Sequence, residues 1–155
     1  MQNTLAYIKR TREQFIKLVN ELSEEQLNKI PAGFSNNIAW NFGHIIVTVP
    51  VLAYQRSGVN KEIVVPFQEK YQKGTRPESF ISKQEIATLQ QQLTDSIASI
   101  ELDISTGKFN TMETFTTATF GLPISSIEET LNCILAHDAM HYGYALAIRK
   151  AVLNQ

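Results

Sequence analysis

The sequence predicts an all-α protein, a four-helix bundle built as a single domain over residues 1–155. Three observations carry that expectation. Four stretches keep apolar residues at helical spacing, the later three open beside residues that can cap a helix, and no internal repeat, low-complexity tract or composition shift divides the chain. The helices must therefore share one core. A length of 155 residues suits one domain, and a hydrophobic content of 43% is enough for a continuous interior.

The first helix is expected from about Thr4 to Leu22, where Leu5, Ile8, Phe15, Leu18, Val19 and Leu22 recur on one stripe. A short extra helix should follow at Ser23 to Lys29, because Ser23 and Gln26 have capping-box spacing and Pro31 discourages continuation. Gly33 then allows a turn. The second long helix begins after Asn36 or Asn37, either of which can accept hydrogen bonds from first-turn amides, and it carries Trp40 and His44. Pro50 removes one intrahelical bond, so this helix either kinks there or leans on neighbours through a loosened turn before ending near Gly58.

Residues 59 to 81 contain Pro66, Gly74 and Pro77 and hold no period; so long a connection is a candidate lid. Ser82 and Glu85 again have capping-box spacing, and Ile86, Leu89, Leu93, Ile97 and Ile100 define the third helix. Between Leu102 and Pro123 the mixture of Gly107, threonines, Phe109, Phe115 and Phe120 predicts a long irregular crossover with room for a short strand. Ser126 and Glu129 open the fourth helix, whose inner face runs through Ile127, Leu131, Ile134, Ala145, Ile148 and Val152 and which carries His137 and His141.

Charge and cysteine content exclude several classes of function. Fourteen Lys and Arg stand against 15 Asp and Glu, so no broad positive field draws in nucleic acid. The longest apolar stretch, Ile45 to Ala53, is too short to cross a bilayer, and Met1 to Arg10 lacks the apolar centre of a secretory signal, so a cytoplasmic location is expected. Cys133 is the only cysteine, which leaves nitrogen and oxygen to hold any metal.

His137 and His141 are four residues apart, so their rings project from one helix face about one turn, ~5.4 Å, from each other. Ile134, Ala145 and Ile148 share that face, which turns both rings inward, and a buried polar group left without a partner costs roughly 2–7 kcal/mol. His44, the third and last histidine, lies among apolar and small residues. The three are therefore candidate ligands of one divalent ion. Imidazole suits zinc, nickel, copper or iron, and three nitrogen ligands with one open position match a catalytic rather than a closed structural zinc site. Histidines that satisfy one another, or buried water, in a metal-free bundle are the alternative.

The stretch Asn37-Ile-Ala-Trp-Asn-Phe-Gly-His44 resembles the second-helix motif of the DinB superfamily, with a tryptophan one turn before the first metal-binding histidine. The stretch His137-Asp-Ala-Met-His141-Tyr-Gly143, followed by Ile148-Arg149, resembles that superfamily's closing motif, and Ser23 to Pro31 its short link after the first helix. The resemblance implies an up-down-down-up bundle, often a homodimer, in which His44, His137 and His141 bind zinc or nickel. It also implies a small-molecule substrate: relatives include hydrolases and transferases or isomerases that use bacillithiol or mycothiol, so a low-molecular-weight thiol is an expected cosubstrate. The chain departs from the common pattern at Tyr144, where relatives often carry glutamine. Catalytic residues beyond the ligands stay unassigned. A non-catalytic, metal-stabilised bundle that engages a protein partner is the competing expectation.

Among neighbouring residues, Cys133 lies eight positions from His141, a rise of ~12 Å, too far for both to reach one ion; it is expected as a small core residue. Asp138 and Tyr142 point away from the ligand face toward the surface or another helix, though Asp138 could orient a histidine. Trp40 is expected in the core at the site's edge, Asn41 in the pocket or on the helix surface, and Gly143 where two helices approach closely.

Overall fold

Side-chain caps set where most of the helices begin. A computed structural model describes residues 1–154. Helix α1 spans Gln2–Asn20 and α2 spans Glu24–Asn28; α3, Ile38–Pro50, runs directly into a π-helical turn, Val51–Arg56. A one-turn helix α4 (Gln68–Tyr71) precedes α5 (Lys83–Ser105), a 3₁₀ turn at Lys108–Thr111, strands β1 (Phe115–Thr116) and β2 (Pro123–Ile124), and α6 (Ile127–Leu153). The protein is thus mostly helical, with one small antiparallel hairpin in which Phe115 faces Ile124 and Thr116 faces Pro123. None of the described helices is long and apolar enough to cross a membrane.

The Ser23 capping box is complete: its hydroxyl accepts from the Gln26 amide while the Gln26 side chain accepts from the Ser23 amide. Asn37, not Asn36, caps α3 by accepting from the Trp40 amide at 2.8 Å. Ser82 and Ser126 cap α5 and α6, but the glutamates three residues on do not reach back to them. Glu85 instead binds Lys70 and the Tyr71 hydroxyl, and Glu129 accepts from Ser125. Capping-box spacing therefore located these helix starts while half of each box is used elsewhere.

The proline in the second long helix produces the loosened turn rather than a break: the backbone widens into π geometry immediately after Pro50, whose nitrogen has no hydrogen to donate. The 59–81 connection is not free-standing. Val65, Tyr71 and Ile81 are buried, and Tyr71, fully enclosed, lies against Gly43. A Cβ at Gly43 would stand 2.6 Å from the Tyr71 ring, closer than carbon atoms approach, so the packing of α4 on α3 requires glycine there. Gly143, expected at a close helix contact, has no such neighbour: nothing outside its own helix lies within 4 Å of a Cβ built there.

Buried apolar residues fall into two groups. One joins Phe15, Leu18 and Val19 of α1 to Phe42 and Ile45 of α3, Leu89 and Leu93 of α5, and Ala145 and Ile148 of α6. The other joins Leu5 and Ile8 to Val49, Ile97, Ile100, Leu131 and Ile134, with Leu52 and Tyr54 of the π turn and Phe109 and Phe115 of the crossover. On α1 and α6 the buried residues between these groups are polar. Arg12 and Asp138 sit there, 3% and 0% exposed, and pair through Arg12 Nε and Asp138 Oδ2 at 2.8 Å.

Candidate metal centre

Helix α3 brings in His44 and α6 brings in His137 and His141. Their ring centroids are 5.1 Å (His44 to His137), 4.7 Å (His44 to His141) and 4.5 Å (His137 to His141) apart. Each residue offers one ring nitrogen such that all three lie within 4.8 Å of one another, a grouping that can hold a metal ion. Cys133 is not in that group. It is half-buried in the wall of the adjoining cavity instead of enclosed in the core, and its burial raises the thiol pKa.

The hydrogen bonds around the rings decide which nitrogen is free. His44 Nδ1 lies 2.6 Å from the carbonyl oxygen of Tyr71. A carbonyl can only accept, so Nδ1 carries the hydrogen and Nε2 keeps its lone pair. His141 Nδ1 lies 2.8 Å from Asn41 Oδ1. The orientation of that amide is fixed independently, because Asn41 Nδ2 donates to the Asn37 carbonyl at 2.7 Å and so turns the oxygen toward His141. His141 therefore also donates through Nδ1 and keeps Nε2 free. Asn41 was expected either in the pocket or on the helix surface; it is buried, and its function is to orient a ring.

Burial pushes His44 down to about 4. The Tyr71 bond opposes this, and the neighbouring His137 and Lys73 charges add to it. Burial, followed by His137 and His44, pushes His141 down to about 3. Both rings are therefore neutral at physiological pH, the state in which imidazole binds a cation. His137 is different: its Nδ1 is buried without a hydrogen-bond partner and stands 3.8 Å from Asp138 Oδ1, which is also unpartnered, as is Arg12 Nη2. Three imidazoles, two of them neutral with tautomers set for binding through Nε2 and a third with an unsatisfied nitrogen, fit a divalent ion of borderline softness.

Asp138 and Tyr142 both contact α1: Asp138 pairs with Arg12, and the Tyr142 ring lies 5.6 Å from Phe15. The surface alternative for Asp138 does not hold. Arg12 was missed as part of this region, though it carries a readable signal: it falls four residues after Ile8 and three before Phe15, on the apolar stripe. Arg12 also donates to the Leu93 carbonyl and Ser96, tying α5 to the same polar layer. Trp40 is buried, stacks on His44 with centroids 4.8 Å apart and planes 10° from parallel, and donates from Nε1 to Thr75. It therefore belongs to the core and backs the site.

A cavity of about 220 Å³ opens on His44 and His137. Its other walls are the π turn, the segment through Gln68, Gln72 and Lys73, the hairpin loop Thr117–Phe120, and Cys133. The 59–81 connection thus supplies one wall of the cavity as well as the carbonyl that holds His44.

A mostly helical protein with three histidines, two buried and one partly buried, grouped around one point beside a small cavity has the character of a metal-binding protein. The family model of the DinB superfamily matches residues 7–145, and the chain belongs to that superfamily. No curated protein matches it.

Proposed function

We propose that His44, His137 and His141 ligate one divalent ion, zinc or nickel, and that the site transfers a low-molecular-weight thiol to a small electrophile. The observation that carries this reading is the convergence of three imidazoles beside a cavity that reaches two of them. An open ligand position facing a cavity favours catalysis over a purely structural ion. A divalent ion bound there supplies a Lewis-acidic centre that lowers the proton affinity of a thiol or of water. The chain's own residues do the rest. Asn41 and the Tyr71 carbonyl orient two rings, Trp40 backs His44, and Val47, Val51 and Leu52 keep the wall apolar.

Thiol transfer is favoured over hydrolysis because no Asp or Glu lines the cavity, leaving no carboxylate to serve as the general base that attack by water calls for. A thiol acidified directly asks less of neighbouring side chains.

The same reading includes the up-down-down-up bundle. In its support, Leu5 and Ile8 near the start of α1 share an apolar group with Leu131 and Ile134 near the start of α6, whereas Val49, Ile97 and Ile100 come from the later parts of α3 and α5.

Purification without chelator followed by elemental analysis tests the metal site. The expected result is near-stoichiometric zinc or nickel in the wild type and its loss in His44→Ala and His141→Ala. Metal-free wild type that takes up neither ion on dialysis refutes it.

A further inference from the structure

We infer that the cavity beside the histidines takes a small organic anion, a short-chain carboxylate whose negative group is held between Arg56 and Lys73. This deepens the metal-dependent reading above, which supplies the reacting centre, but the charge argument stands on the chain's own residues.

Among the residues lining the cavity only Arg56 and Lys73 carry a formal charge, and no Asp or Glu opposes them. They come from different walls: Arg56 ends the π turn, and Lys73 lies two residues beyond α4. Elsewhere Lys9, Lys61, Lys70 and Lys108 each face a carboxylate within 3.0 Å. Among the described residues neither Arg56 nor Lys73 has such a partner.

Arg56 is positioned rather than neutralised. Its Nη2 donates to the Thr116 carbonyl at 2.9 Å, and its guanidinium lies 5.8 Å from the centre of the Phe115 ring. These contacts hold the side chain against the hairpin and leave Nε and Nη1 without a protein acceptor, each able to donate a charge-assisted hydrogen bond to an anion. Val47, Val51, Leu52 and Phe120 provide low-dielectric walls, which focus the field of the two cations into the cavity. A divalent ion held by the three imidazoles would add further positive charge with no carboxylate among its protein ligands. A neutral ligand leaves all of that charge unanswered, whereas an anion answers it. The volume, about 220 Å³ or roughly seven waters at about 30 Å³ each, restricts the rest of the ligand to a short carbon skeleton.

Calorimetric titration of the purified protein with 3-mercaptopropionate and with 1-thioglycerol, a charged and a neutral thiol of similar size, tests the inference. The wild type is expected to favour 3-mercaptopropionate by about tenfold or more, with the preference falling as salt is raised. Lys73→Met and Arg56→Met should each reduce the preference, and the double variant should bring the two thiols to parity. Lys61→Met, outside the cavity, should leave it unchanged. Lys73 makes no hydrogen bond in the structure, so Lys73→Met decides the matter even if loss of the Thr116 contact unfolds Arg56→Met. Equal binding of the two thiols by the wild type, binding of neither, or a preference that survives Lys73→Met overturns the inference. Elemental analysis of the same samples separates the two readings. Full metal with no charge preference sinks the anion site alone, and a charge preference in protein that takes up no metal sinks the metal site alone.

Discussion

The two sides of the histidine group are built differently. On the α3 side the polar atoms that orient the rings have partners: Asn37 caps the helix, Asn41 bridges Asn37 and His141, and the Tyr71 carbonyl takes His44 Nδ1. On the α1 and α6 side, Arg12 Nη2, Asp138 Oδ1 and His137 Nδ1 are all buried and all unpartnered, although Arg12 and Asp138 are joined by a short ion pair. Two rings are thus oriented by hydrogen bonds before any ligand arrives, while the third is held by packing alone. Orientation of a ligand ring and stabilisation of the fold are accordingly assigned to opposite sides of one site.

The sharpest way to break that division is at the ion pair. Arg12→Met should destabilise the chelator-treated protein by about 3–5 kcal/mol in a denaturant titration, because it leaves Asp138 charged and alone in the interior. Arg12→Met combined with Asp138→Leu should regain most of the loss. A single-variant cost below about 1 kcal/mol would mean that the pair does not hold α1 to α6. On the other side, Asn41→Ala should lower metal affinity by about 10- to 100-fold in a competition assay while costing far less stability, since it frees one ring without removing a ligand. Equal effects of Asn41→Ala and Arg12→Met on both readouts would erase the distinction.

Gly43→Ala lies between the two in kind. The added methyl meets the Tyr71 ring, so about 1–3 kcal/mol of stability should be lost to overpacking, and His44 should lose the carbonyl that orients it. The smallest effect concerns pH. His44 is depressed in the folded protein relative to about 6.5 in the unfolded chain, so the unfolded state binds the extra proton first. The contribution of the neutral ring is therefore fully present above about pH 6.5 and is lost as pH falls toward the folded value, by roughly 1 kcal/mol at about pH 5.5. Denaturant titrations of chelator-treated wild type and His44→Gln at several pH values check the sign: the variant should be less acid-sensitive.

Much of the architecture was legible because periodicity and caps report directly on helices. Ser23, Asn37, Ser82 and Ser126 each cap the helix that follows, and the three histidines were readable as a group because two share one helix face and the third sits in an apolar context. What escaped depends on contacts between distant segments. Tyr71 lies in a stretch with no period, and only the fold shows that its carbonyl reaches across to His44. Arg12 falls on the apolar stripe of α1, but its partner Asp138 lies 126 positions away on another helix, which that stripe does not encode. The importance of Gly43 over Gly143 likewise follows from what stands opposite each, which one helix pattern does not encode. The glutamates at the third helical position were placed correctly but matched to the wrong partner, because Lys70, Tyr71 and Ser125 outcompeted the cap serines for them.

The widened turn after Pro50 bears on how this chain tolerates change in length. Residues 51–56 form the last, loosened turn of the second long helix, and they carry Leu52 into the interior and Arg56 to the cavity mouth. Removing one residue there would turn the positions after it by roughly a quarter turn about the helix axis and carry Arg56 away from the cavity mouth. Insertions and deletions should therefore be purged from this stretch and accumulate instead where the backbone leaves the helix, after Gly58.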